Sequence, residues 1–162
     1  MSRRSRAELE AEAVEAVRGW QIDQDLFDDA VAAWVGLNRT DTRVIDIVSR
    51  AGRMTAGQLA TEARLTSGAV TAVVDRLEAA GLVRRVRDTV DRRRVLLELT
   101  PRVDELMAPV FGPVAEEGYA AMRAYSDRDA EVILRFMQMN REFLRRHTQR
   151  LHDMLAERHG AG

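Results

Sequence analysis

Six arginines, Arg84, Arg85, Arg87, Arg92, Arg93 and Arg94, lie within eleven residues against two aspartates, Asp88 and Asp91. Six positive charges less two negative leave +4 on this segment, in a chain whose net charge is −1. Crowded guanidiniums repel one another, and a phosphate backbone offsets that repulsion by releasing its counterions. The same charge also keeps a solvated strand edge from pairing with another chain. Alone, then, the run is either a polyanion contact or an edge guard. Upstream stand Thr66, Ser67, Gly68 and Thr71, small groups near a helix start that suit phosphate oxygens or base edges. One of Thr66 and Ser67 serves as the helix cap, and Thr71 is the better placed for a base contact. Arg76 follows, either in an ion pair with Asp75 or Glu78 or on a phosphate.

Other chemistries lack their residues. There is no cysteine, which removes disulfides, thiolate metal sites and thiol redox sensing. His147, His152 and His159 are spaced five and seven apart, off the four-residue spacing of a helical zinc site, so no metal and no cofactor are expected. Neither a glycine-rich phosphate loop nor a nucleophile–base pattern is present, so no enzyme is expected. The 162 residues are 46% apolar and 31% charged, the composition of one soluble domain. All 25 basic residues are arginine, which GC-rich coding produces without any functional cause. No apolar run approaches the ~20 residues that span a bilayer, and no apolar signal core follows the first arginines, so a cytoplasmic protein without membrane contact is expected.

The elements that must position these residues are legible from caps and periods. Residues 7–36 carry Ala13, Val17, Trp20, Phe27, Val31 and Trp34 on one stripe of a long acidic helix. Asn38 to Asp41 offer caps for a second helix, about Asp41–Ala51, ended by Gly52. Thr55 and Gln58 have capping-box spacing, with Met54 and Leu59 as the staple, for a third helix from Thr55 to about Glu62. The pattern repeats for a fourth helix, with Leu65 and Val70 as staple, Val70, Val73, Val74 and Leu77 as its stripe, and Gly81 as its left-handed stop. Two short helices in tandem are a helix-turn-helix. The period then changes to that of strands in 82–87 and 94–99, a hairpin whose polar tip is 88–93. Thr100 and Pro101 start another helix, which Pro109 and the Gly112-Pro113 pair are expected to kink or break before it resumes to about Tyr125. Ser126 and Asp129 cap a last long helix on which Ala130, Met137, Leu144 and Leu151 recur every seven residues. The expected fold is mainly α with a small two-stranded β wing: an N-terminal dimerisation helix (1–36), a winged helix-turn-helix (37–101) and C-terminal dimerisation helices (102–160).

The run Leu59-Ala60 … Leu65-Thr66-Ser67-Gly68-Ala69-Val70-Thr71 … Val74-Asp75-Arg76-Leu77-Glu78 … Gly81-Leu82-Val83-Arg84-Arg85, followed by Asp91-Arg92-Arg93-Arg94-Val95-Leu96-Leu97-Glu98-Leu99-Thr100, resembles the multiple antibiotic resistance regulator (MarR) family. The resemblance is detailed over about 37–101, and the flanking helices match in length and placement. It implies a homodimer that binds a pseudopalindrome in double-stranded DNA, one recognition helix (about 66–80) per half-site, most often as a repressor. Arg93 would enter the minor groove, Asp91 would brace it, and Arg92 would meet a phosphate. Members of the family often sense small aromatic acids, for which Trp20, Trp34, Tyr119, Met122 and Tyr125 would line a cleft, or else form ordinary core or dimer packing. The rival reading is a winged helix used for protein contact, which lacks the steep salt dependence of DNA binding.

Overall fold

The fold is that of a computed structural model, which describes residues 4–160, the side chains of 159 and 160 excepted. Its elements are α1 (Arg6–Val35), α2 (Arg39–Ala51), β1 (Arg53–Thr55), α3 (Ala56–Ala63), α4 (Ser67–Ala79), β2 (Val83–Arg87), β3 (Val95–Leu99), α5 (Pro101–Met122) and α6 (Asp127–Gly160). The chain divides into two compact units, Met1–Phe111 and Gly112–Gly162.

In the first unit the helix ends are set by the expected residues. Asn38 and Asp41 form a reciprocal capping box on α2, and Thr55 and Gln58 form one on α3. Thr66 caps α4, accepting from the Ala69 N–H at 3.2 Å. Gly81 ends α4 at φ +72°, a conformation other side chains resist. Its N–H reaches the Glu78 carbonyl and that of Leu82 reaches the Leu77 carbonyl, both at 2.9 Å, the paired bonds of a Schellman stop. The stop turns Leu82 back onto Leu77, and both are buried.

The core lies where α2, α3 and α4 meet the sheet. Val44 and Val48 of α2, Leu59 of α3, Val74 and Leu77 of α4 and Leu97 of β3 are all but sealed from solvent. Each such side chain contributes about 1.5–3 kcal/mol by leaving water. Met54 joins this core and Leu65 packs at its edge, so both staples close.

The expected wing hairpin, β2 with β3, is present, and two details differ. The sheet has three antiparallel strands in the order β1-β3-β2, not two, because Arg53–Thr55 pairs with the free edge of β3. Three residues are too few for a period of two to declare itself. Of the kink or break expected at Pro109 and Gly112-Pro113, the break does not occur, and α5 is helical from Pro101 to Met122. Each proline removes one N–H from the ladder, and on the N-terminal half Val103, Leu106 and Met107 anchor the helix to the core.

The middle strand carries a buried carboxylate. Glu98 lies directly across from Arg53 on one side and Arg84 on the other, and both arginines pair with it. Burial pushes the Glu98 carboxyl up, but the bonds from Arg84 and Arg53 outweigh it, leaving it below the usual glutamate range. A carboxylate held low in the fold contributes stability that is complete above its unfolded value of about 4.3 and is lost as pH falls through the folded one. Acid unfolding curves of Glu98→Gln should therefore be flatter below that value than those of the parent. An unchanged acid slope would show that the row contributes nothing.

Candidate nucleic-acid interface

The winged unit sorts its arginines into two groups. Arg84 is held by Glu98, and Arg85 reaches back from β2 to Asp75 and Glu78 on α4. Arg94 sits 3.9 Å from Asp88. Among the described residues, the side chains of Arg87, Arg92 and Arg93 have no ion pair or hydrogen bond. The charge of the hairpin is thus partly spent at its root, where it ties wing to helix, and left free toward its tip. In the sequence the six read as one block, because the acids that neutralise the root arrive from α4 and from across the sheet.

The tip is built on its two aspartates. Asp91 accepts the Arg93 N–H on its side chain (3.1 Å) and the Arg94 N–H on its carbonyl (2.9 Å), folding 91–94 into a tight turn. Asp88 accepts the Val90 N–H at 2.9 Å and donates its own N–H to the Arg94 carbonyl at 3.0 Å. Asp91 therefore braces the backbone of Arg93 rather than its guanidinium. The side chains of Arg92 and Arg93 project from a fixed turn and keep their own rotamers free.

On α4 the face formed by Ser67, Gly68, Thr71 and Ala72 is exposed, opposite the buried stripe of Val70, Val73, Val74 and Leu77. Thr66 has its oxygen engaged as the cap. Thr71 donates its hydroxyl to the Ser67 carbonyl at 3.0 Å. At Gly68 a Cβ would meet nothing within 4 Å, so the fold itself does not require glycine there. What glycine leaves open is the outer side of the first helical turn, whose N–H groups favour an anion. Gly68→Ala should keep or raise thermal stability, by up to about 1 kcal/mol, yet weaken DNA binding several-fold. Equal DNA affinity in the two proteins would take Gly68 out of the contact surface.

Arg76 is placed differently from either of its neighbours on the helix. Its Nε and Nη2 bind the two oxygens of Asp41 at 2.9 and 2.5 Å, and Asp75 and Glu78 serve Arg85 instead. Asp41 is buried, 35 residues away in sequence, and only its place as third residue of α2 hinted at a second task.

Of the aromatic candidates, Trp20 and Trp34 are exposed in the first unit, and Tyr119, Met122 and Tyr125 are exposed in the second. None belongs to the core of its own chain. A cleft of about 200 Å³ in the first unit is lined instead by Asp28, Val31, Arg39, Thr40, Thr42, Arg43, Asp46, Met107 and Phe111. Phe27 meets Phe111 edge to face there, with ring centres 5.9 Å apart. Burial raises the Asp46 carboxyl, Arg50 pulling it back and Asp28 adding to the rise. His147 lies tilted against Phe143, His152 is exposed, and the His159 side chain lies outside the described residues. Among the described residues no cluster of three metal-binding side chains occurs. Nor is any helix there long and apolar enough to cross a membrane.

A capped helix with an exposed hydroxyl-bearing face, followed by a hairpin with unpaired arginines, is the arrangement of a winged helix-turn-helix. The MarR family model matches residues 37–95. Over 93% of its length the chain is 37% identical to the HTH-type transcriptional regulator YcgE of Bacillus subtilis, covering 97% of that protein. The chain belongs to the MarR family and is a DNA-binding transcription regulator. Two solved structures share its fold. NadR in complex with 4-hydroxyphenylacetate matches with a TM-score of 0.55 at 23% identity, over 86% of this chain and 96% of that one. A mutant of S. aureus MepR bound to an oligodeoxyribonucleotide matches with a TM-score of 0.55 at 16% identity, over 82% and 97%.

Proposed function

We propose that the protein is a homodimeric repressor that grips a pseudopalindromic operator with two recognition helices and two wings, and that a small aromatic ligand releases it. The observation that carries the dimer is the state of the second unit. Among its described residues none is buried, while Val132, Leu134, Phe136, Met137, Leu144, Leu151 and Met154 of α6 are all exposed. Two helices without a core do not hold their shape alone, and a second copy covers such a face. Leu9, Val14, Trp20, Ile22 and Leu26 of α1 leave a similar apolar surface in water.

Dimerisation gives the recognition helices a fixed separation, which an operator matches with half-sites about one helical turn apart. Ser67, Gly68 and Thr71 face the major groove, Arg93 enters the minor groove, and Arg92 meets a phosphate. The cleft at Phe111 suits an aromatic ring against Val31 and Met107, with Arg43 within reach of an acidic group. The 4-hydroxyphenylacetate bound by NadR is a ligand of that shape.

Fluorescence anisotropy on the DNA upstream of the coding region tests this reading, first across a salt series and then against added 4-hydroxyphenylacetate. Expected are sequence-selective binding that weakens steeply with salt and release by the aromatic acid. Salt-insensitive or sequence-blind binding would reject the operator model, and binding indifferent to aromatic acids would reject the effector.

A further inference from the structure

Three contacts converge on the first turn of α2. Asp41 holds Arg76 of α4 through two bonds. Its backbone N–H is held by the Asn38 side chain at 3.0 Å, and its carboxylate faces the Asn38 N–H at 3.5 Å. Two residues earlier, Arg39 grips α1: Nη1 reaches the Asp25 carbonyl at 2.7 Å and Asp29 at 2.9 Å, and Nη2 reaches the Asp25 carboxylate at 2.9 Å.

We infer that Asp41 is a positioning residue for DNA recognition, setting the angle of α4 through Arg76, and that Arg39 ties this setting to α1. A two-pronged contact fixes the plane of the guanidinium and, with it, the rotation of the helix that carries it. The apolar contacts of Val73, Val74 and Leu77 hold α4 against the core but are non-directional. Asp41 cannot turn to follow Arg76, since the carboxylate belongs to the cap of its own helix and is sealed from water. Arg76 is half-exposed, so the pair is buried at its α2 end and meets water at its α4 end. Arg39 sits on the surface, where ion pairs add little to stability. Its geometry has another use. The turn of α2 that holds α4 is the same turn that holds α1, and a displacement of either helix is felt by the other through Asp41.

The test uses the full-length protein and two duplexes, one selected by the parent protein from a random pool and one unrelated. Asp41→Asn should weaken binding to the selected duplex by about tenfold while binding to the unrelated duplex stays as it was, because the wing arginines remain. Asp41→Glu, suited to the capping position but one methylene longer, should keep the charge and the cap and recover selective binding only in part. Arg39→Ala should also weaken selective binding, and its effect should vanish in the Asp41→Asn background. If Asp41→Asn does not fold, Arg76→Lys replaces it in the cycle, keeping the charge and losing the two-pronged geometry. A parallel fall on both duplexes would mean that Asp41 only supports the fold, and simple addition of the Arg39 and Asp41 effects would mean that no linkage runs through this turn. Either result overturns the inference.

Discussion

Arg93→Ala should cost DNA affinity about 1–3 kcal/mol while the thermal unfolding midpoint stays where it is. The two halves of that expectation have separate causes. The side chain has no partner among the described residues, so removing it breaks nothing in the folded protein. The turn that presents it is held by Asp91 through backbone groups that alanine retains. The lost affinity is therefore the loss of a guanidinium from a groove or a phosphate, read by anisotropy at fixed salt. Arg85→Ala is the matching control, because its charge is engaged by Asp75 and Glu78 and its removal should disturb the junction of wing and helix, lowering stability as well. Unaltered affinity in Arg93→Ala would take the wing tip out of the interface.

Leu144→Asp is the larger perturbation. Leu144 is about half-exposed on α6, seven residues from both Met137 and Leu151, on a helix with no buried residue among those described. A carboxylate there costs an isolated chain little, since water already reaches the site. Between two chains it would be a buried unpaired charge, worth several kcal/mol against association. The expected outcome is a protein of monomer mass by sedimentation with selective DNA binding abolished, since a single recognition helix meets only one half-site. A monomer that still bound the operator tightly would defeat the requirement for paired helices.

How much of this was legible beforehand depends on the range of each interaction. Caps and stops are local. Thr55 with Gln58, Thr66, and Gly81 with Leu82 lie within a few residues of the backbone groups they satisfy, and each does what its spacing predicts. The stripe of α4 is equally local, because a helical period needs only its own four residues. Strand β1 escaped notice because its three residues become a strand only beside β3, more than forty residues on. Arg76 paired with Asp41 escaped for the same reason, and so did the division of the arginines into a spent root and a free tip. α5 is a different case. Pro109 and Gly112-Pro113 are sound local arguments for a kink or a break, and the helix nonetheless runs on from Pro101 to Met122, each proline giving up one N–H of the ladder. Residue type alone points to Trp20, Trp34, Tyr119 and Tyr125, yet Phe111, half a turn from those same prolines, lines the cleft.

The hydroxyl of Thr71 has spent its proton on the Ser67 carbonyl. What it turns outward is a pair of oxygen lone pairs and a methyl group. In the major groove only adenine and cytosine offer a hydrogen to such an oxygen, and only thymine offers a methyl to meet another. Guanine presents two acceptors, which that oxygen can serve only if its proton leaves Ser67. Wherever Thr71 meets a base edge with that bond kept, the base it touches is adenine, cytosine or thymine, and a guanine there is read through its partner cytosine.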